Sequence, residues 1–182
     1  MKKILFFTMI LASACSSIKV SYDYDKNADF SKYHTYQYTH ESLSIPVDAL
    51  NRDRLINAVD AQMQKRGYTQ ADPGDVLIDL EVKAEQKVDV SATTSGAYGG
   101  YGYGYGHYGY GGGFTTTQVN YDEYVEGTLF INIVDNAQQK LVWQGRGTKT
   151  LAENVSPEQR EKNINYAVEN IFYKYPVKVV KK

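Results

Sequence analysis

The residue types best suited to covalent or metal chemistry are scarce in this sequence of 182 residues. It contains one cysteine, Cys15, and three histidines, His34, His40 and His107. A single thiol cannot form a disulfide within the chain, and the histidines share no spacing of the kind that zinc sites use. The sequence also has no Gly-x-Ser-x-Gly, no P-loop and no Gly-x-Gly-x-x-Gly that opens a helix. We therefore expect no metal, no cofactor, no small-molecule substrate and no enzymatic activity.

An acidic segment near the N-terminus imitates the start of a calcium-binding loop. Asp25, Asn27 and Asp29 alternate as the first ligands of such a loop do. The sixth position is Phe30, where the loop needs a glycine for its turn, and the twelfth is Tyr36, where a glutamate should bind the ion. The segment is therefore predicted to be a turn with acids at the strand edge.

The surroundings of Cys15 indicate a modification of its sulfur. A basic start, Lys2-Lys3, precedes an apolar run at residues 4–11 that is too short to span a bilayer. The segment Leu11-Ala12-Ser13-Ala14-Cys15 resembles the end of a bacterial lipoprotein signal peptide, although Ala12 replaces the usual large aliphatic residue three before the cysteine. The resemblance implies cleavage before Cys15 and acylation of that cysteine with chains such as palmitate. An ordinary cleavable secretory signal, with small residues at Ala12 and Ala14, is the alternative.

Lipidation of Cys15 would also determine where the protein resides. Two or more acyl chains anchor a protein stably, whereas one chain holds it only marginally. Ser16-Ser17 follow the cysteine, and no aspartate stands there of the kind that favours the inner membrane in enterobacterial lipoproteins. No acidic run follows that would direct the protein to the cell surface. The resemblance therefore implies a lipid-anchored protein of the bacterial cell envelope, in the outer membrane and facing the periplasm.

Residues 96–113 form a low-complexity block of ten glycines and six tyrosines together with His107. Glycine is costly to order, and nothing in the block can build a core. We interpret the block as a flexible exposed tip between two strands. The alternative is an adhesive surface whose aromatic faces pack on sugar rings or on a protein partner. The candidate contact residues are Tyr98, Tyr101, Tyr103, Tyr105, His107, Tyr108 and Tyr110.

The segments on both sides of this block are predicted to be long strands. Even positions from Val76 to Val90 are mostly apolar and odd positions from Asp79 to Asp89 are charged, which predicts a sheet with one wet face. The second strand, at residues 118–135, repeats the alternation. Strands usually have five or six residues, so we expect a surplus of about five residues at ~3.3 Å each to project the tip roughly 15 Å beyond the sheet.

A third strand at residues 141–151 is predicted to follow. Its Leu141 and Trp143 are expected to point inward, and Gly145 and Gly147 indicate a bulge or a close backbone approach.

Two amphipathic segments are predicted to be helices. One spans residues 48–66, and the other begins with Ser156 as N-cap and Pro157 at its first position. Two short strands precede the first helix, so the predicted order is β-β-α-β-β-β-α. The most economical fold is a two-layer α+β domain with both helices on the apolar face of a mostly antiparallel sheet and a long hairpin carrying the Gly/Tyr-rich tip.

Six short segments are together similar to domain-of-unknown-function family 4136, a family of bacterial envelope lipoproteins. They are Val20-Ser-Tyr-Asp-Tyr-Asp25, Ala28-Asp-Phe-Ser-Lys-Tyr-His-Thr-Tyr36, Arg66-Gly-Tyr68, Asp75-Val-Leu-Ile78, Leu141-Val-Trp-Gln-Gly145 and Phe172-Tyr-Lys-Tyr-Pro176. The resemblance covers the mature chain except residues 96–113, which look like an insertion. It implies an envelope lipoprotein and supplies no activity or site residues.

The sequence therefore predicts a signal peptide at residues 1–14, a lipidated N-terminus and tether at 15–17, and one domain at 18–182. A formal charge of −1 gives no basic excess for binding nucleic acid. We expect a non-enzymatic protein, held on the membrane by its lipid anchor, with a structural or assembly role through protein or cell-wall contacts. The alternative is a binding module whose Tyr-rich tip contacts a glycan or a protein partner.

Overall fold

A computed structural model describes the protein at residues 17–96, 115–152 and 154–180. Two helices and six strands occur in these ranges, together with short 3-10 turns at Phe30–Lys32 and Glu41–Ser44. In chain order the elements are β1 (Lys19–Tyr24), β2 (Thr35–Tyr38), α1 (Ala49–Gln64), β3 (Thr69–Gln70), β4 (Val76–Gly96), β5 (Thr115–Asp135), β6 (Lys140–Leu151) and α2 (Pro157–Phe172).

The strands form one mixed sheet in the order β1-β6-β5-β4-β2-β3. Its pairings are antiparallel except that β2 runs parallel to both β3 and β4. The predicted α+β class and the mostly antiparallel sheet are confirmed. The predicted element order was incomplete, because β3 has only two residues and carries no alternation that could reveal it.

Each helix begins directly after a capping residue, and Ser156 is the cap that the sequence predicts for α2. The carboxylate of Asp48 accepts a hydrogen bond from the backbone N–H of Asn51, and the hydroxyl of Ser156 accepts one from the N–H of Gln159. The side chain of Gln159 does not close a capping box, since it donates to Asn163 instead. After α1 the chain reverses at Gly67, whose φ of 87° lies in the region that favours glycine.

The helices cover one face of the sheet and enclose a single core around Trp143. The Trp143 ring stacks on Phe172 with centroids 5.8 Å apart and meets the edge of Tyr175 at 5.1 Å. Gly147 allows α2 to approach, because a Cβ at that position would lie 2.8 Å from Ile171. A Cβ at Gly145 would overlap both Trp143 and Ile171. The close backbone approach predicted for these glycines is confirmed.

The inward orientation predicted for Leu141 was wrong, because the register of β6 shifts next to this residue. Trp143 is fully buried as expected, but Leu141 is 47% exposed. The pairing of β5 with β6 is irregular between Ile133 and Val134, and Val142, the extra residue on β6, is buried. An extra residue in one strand interrupts the two-residue period, so Leu141 no longer shares a face with Trp143.

The helices cover only the first part of the long hairpin. Val76, Ile78 and Leu80 are buried, Val82 is half-buried, and every apolar residue of β4 beyond it whose side chain is described is exposed. The β4–β5 pairing nevertheless continues to Gly96 opposite Thr115. We call residues 84–96 and 115–127 the arm; at ~3.3 Å per residue it extends ~40 Å, well beyond the roughly 15 Å predicted.

Two equivalent substitutions on β4 test where the core ends. Val76→Thr places a hydroxyl among buried side chains and should lower the free energy of unfolding by ~1–3 kcal/mol. Val90→Thr makes the same change on the same face of the arm, where the residue is 55% exposed. Val90→Thr should change stability by less than ~0.5 kcal/mol in urea unfolding. Equal losses in the two variants would mean that the arm belongs to the core.

Candidate functional site on the hairpin arm

The residues singled out from the sequence lie outside the described part of the chain. This applies to the lipidation candidate Cys15 and to the seven candidate contact residues Tyr98, Tyr101, Tyr103, Tyr105, His107, Tyr108 and Tyr110. The structure does describe the two strands that lead to these seven residues. Several large apolar residues on those strands are exposed to solvent.

The face of the arm that continues the core is apolar and open to solvent. We call it the core-side face. Paired residues of adjacent strands share a face, and Val90 is opposite Tyr121 while Ala92 is opposite Val119. Val88, Val90, Val119 and Tyr121 are between 44% and 68% exposed. Soluble monomers rarely leave a contiguous apolar patch uncovered without a use for it, so this face is a candidate contact surface.

A polar pair marks the end of the core-side face that is nearer the core. The side-chain amide of Gln86 donates to the carboxylate of Glu123 at 3.2 Å. Glu123 is opposite Val88, so the apolar patch begins beside this pair and continues outward to Val119. The patch is therefore polar at one boundary and uncharged toward the tip.

The opposite face of the arm is charged, and one ion pair crosses it between the two strands. Lys87 bonds to Glu126 on the neighbouring strand, and that bond raises the pKa of Lys87 and lowers the pKa of Glu126. Asp89 and Asp122 are opposite each other near the middle of the arm. The two faces of the arm thus differ strongly in polarity, which gives any contact that the arm makes a defined orientation.

An open depression of about 410 Å³ lies at the other edge of the sheet. It is lined by Gln37, Tyr38, Leu43, Gln70, Ala71 and Asp72. The hydroxyl of Tyr38 does not donate to a group in this depression, because it donates to the carboxylate of Asp60 at 2.7 Å. Tyr36 donates to the same Asp60 oxygen at 2.8 Å. Burial, followed by these bonds to Asp60, raises the pKa of both tyrosines, so neither hydroxyl is poised to lose a proton.

A second depression, of about 150 Å³, contains the acids that imitate a calcium loop. The carboxylate of Asp25 bonds to the Lys140 ammonium and accepts from the Asn27 N–H, and these two bonds lower the pKa of Asp25. Asp29 accepts from both the N–H and the hydroxyl of Ser31. The two carboxylates thus serve a turn and an ion pair, as the sequence predicted for a turn with strand-edge acids.

No group of three metal-ligating side chains occurs among the described residues. His34 contributes its backbone N–H to Asp75, and sequence reasoning missed this contact because the two residues are distant in the chain. It also missed Asp60 as the common acceptor of Tyr36 and Tyr38. The sequence did contain a signal for a common partner, since two tyrosines that lie two positions apart on a strand point to the same face. Within the described ranges, neither helix is long and apolar enough to cross a bilayer.

Comparisons with known proteins give the fold and the family. No curated protein matches the chain. The solved PelC dodecamer from Paraburkholderia phytofirmans is 8% identical, with a TM-score of 0.51 over 91% of this chain and 100% of the PelC chain. A PDZ domain protein from Parabacteroides distasonis is 13% identical, with a TM-score of 0.49 over 91% of this chain and 37% of the other. At such low identity the PelC likeness shows a shared fold alone.

The family is established by a model that spans nearly the whole domain. The model described as domain of unknown function (DUF4136) matches residues 20–177, which include both helices and the entire hairpin. This match confirms the resemblance found in the six sequence segments. The chain therefore belongs to the DUF4136 family.

Proposed function

We propose that the protein is a lipid-anchored component of the bacterial cell envelope that has a structural or assembly role and acts through surface contacts instead of catalysis. The observation that carries the contact role is the uncovered apolar face of the arm, with Val90 and Tyr121 at its centre. A paired hairpin that extends beyond its own core leaves its apolar face available to a partner.

The anchor is supported by the residues around Cys15. A basic start, a short apolar run and a lone cysteine after Ala14 are the features of a lipoprotein signal peptide. Ser16-Ser17 favour the outer membrane, with the domain facing the periplasm. The first strand begins at Lys19, so a lipid on Cys15 would hold the folded domain close to the membrane.

The bonding of the polar groups in the two depressions also favours a contact role over catalysis. In each depression a central polar group is engaged with another protein group: Tyr38 with Asp60, and Asp25 with Lys140. Catalytic sites need convergent groups that remain available to a substrate.

Removing the thiol tests the anchor directly. Cys15→Ser should abolish acylation and move the protein from the membrane fraction to the soluble periplasmic fraction, because the acyl chains are proposed to anchor it in the bilayer. Ser17→Ala is the matched control and should remain acylated and membrane-bound. Intact-mass spectrometry and fractionation give the result. A processed wild-type protein with an unmodified thiol would refute the proposal.

A second candidate function is a binding module that uses the Tyr-rich tip. It is favoured by the pairing of Gly96 with Thr115, which holds the ends of the intervening segment together at the far end of the arm. In this function the tip would contact a glycan or a protein partner through aromatic stacking.

Replacing residues 97–114 by Asn-Gly tests this second function. Asn-Gly closes a two-residue hairpin between strands already in register, so urea unfolding should be unchanged. Partner crosslinks or glycan binding seen in cells with the wild type should be lost. A full-length variant with the block's six tyrosines changed to serine is the control and should lose the same contacts. An unchanged interaction profile in both variants would reject the tip as a binding device.

A further inference from the structure

The strand register places the start of the described chain at the same end of the sheet as the arm. Lys19 of β1 is opposite Thr148 of β6, Thr148 is opposite Thr128 of β5, and Thr128 is opposite Lys83 of β4. Tyr24, at the other end of β1, lies level with the buried start of β4 through the same ladder. Following β1 backward toward the N-terminus therefore leads toward the arm.

Only a short tether connects this point to Cys15. Ile18 still lies against the sheet, because a Cβ on Gly147 would be 2.8 Å from its Cδ1. Two residues lie between Ile18 and Cys15, and the three Cα-to-Cα steps that connect them span at most ~10 Å when fully extended. Cys15 can therefore reach along the arm no further than about the level of Lys87.

The arm continues well beyond that level. The nine residue steps from Lys87 to Gly96 span ~30 Å, which equals the thickness of the hydrocarbon core of a bilayer. If Cys15 is held at the membrane surface, an arm that points straight at the bilayer would have to enter it, whereas an arm parallel to the bilayer would lie across its surface. Entry is disfavoured because β4 beyond Leu80 has no strand partner on its outer edge among the described residues, and unpaired backbone groups are not tolerated in hydrocarbon.

We propose that the arm lies across the surface of the membrane that holds Cys15, with its core-side face in the interfacial layer of the bilayer. This inference rests on the proposed lipid anchor and names the bilayer as the partner of the arm. The contact residues are Val88, Val90, Ala92, Val119 and Tyr121. Aliphatic side chains and tyrosine are suited to this layer, where an apolar surface is buried while a phenol hydroxyl stays hydrated.

The charges of the arm determine which face meets the lipid. Residues 90–96 and 115–121 contain no Asp, Glu, Lys or Arg. The opposite face carries Asp89 against Asp122, and anionic headgroups repel such a pair of carboxylates. The core-side face therefore turns to the membrane with its uncharged part, beyond the Gln86–Glu123 pair, and the face with Asp89 and Asp122 turns to water. Because the helices lie on the core side as well, the arm slopes so that Tyr121 and Val119 come nearer the bilayer than Gln86.

Fluorescent labels on single introduced cysteines test this orientation in the complete lipidated protein. Acylation blocks the sulfur of Cys15, so Tyr121→Cys, Asn120→Cys and Tyr173→Cys each offer one free thiol for an NBD group. Asn120 is adjacent to Tyr121 on the acidic face, and Tyr173 is a similarly exposed tyrosine, 76% against 68%, at the far end of the domain. Each labelled protein is reconstituted in phosphatidylethanolamine–phosphatidylglycerol vesicles, with mass spectrometry of the same sample to verify acylation.

We expect the label at position 121 to shift its emission to the blue and to lose intensity to doxyl groups on the lipid chains. The labels at 120 and 173 should instead lose intensity to iodide in the water. An acylated protein whose label at 121 stays in water, or whose labels at 120 and 121 respond alike to the lipid quencher, overturns the inference and leaves the anchor intact. A label at 121 shielded from both quenchers also overturns it, because a protein surface such as a second copy then covers the face. A sample without acyl chains overturns the proposed function itself.

Discussion

The structure depends on a mismatch of length between its helices and its central hairpin. Each helix has 16 residues and each hairpin strand has 21. A helix of that length is ~24 Å long, whereas the strands extend ~70 Å. One helix can therefore cover about seven strand residues, and burial on β4 ends at Val82, the seventh residue of the strand. The remainder of the hairpin is paired but has no layer above it, and this remainder is the arm.

The covered part is closely fitted, which gives the arm a firm base. Trp143 packs between Phe172 and Tyr175, and the absence of a side chain at Gly145 leaves space for its ring. Arg66 joins the ends of the two helices by donating to the backbone carbonyls of Gln62, Phe172 and Val177. Beyond this base the arm keeps its shape through the β4–β5 ladder, and its acidic and apolar faces keep a fixed orientation.

Much of the fold could be predicted from the sequence because its signals are local. Asp48 and Ser156 mark helix starts, and the alternation from Val76 onward marks the central strand. The parallel pairing of β2 with β4 could not be predicted, because it depends on contacts between segments that are distant in the chain. The orientation of Leu141 could not be predicted either. It follows from an extra residue in β6, and nothing in the residue types of that strand indicates the extra residue.

The extent of the arm was missed for a different reason. Alternation on β4 continues to Val90 whether or not a helix lies above it, so the pattern alone cannot separate a buried face from an uncovered one. Comparing the predicted helix length with the predicted strand length would have exposed the difference. The position of the start of β1 relative to the arm also required the register, since sequence order places Lys19 far from residues 84–96.

Hydrogen exchange along β4 tests the central claim that the arm is an ordered two-stranded ladder outside the core. The N–H of Leu80 and the carbonyl of Ile78 point toward β2 and its following turn, so even-numbered groups of β4 face the open edge and odd-numbered groups face β5. From Lys83 to Asp89 the odd-numbered amides should be protected and the even-numbered amides should exchange rapidly. Rapid exchange at every amide in this stretch would contradict the ladder, and with it the surface that the arm is proposed to present.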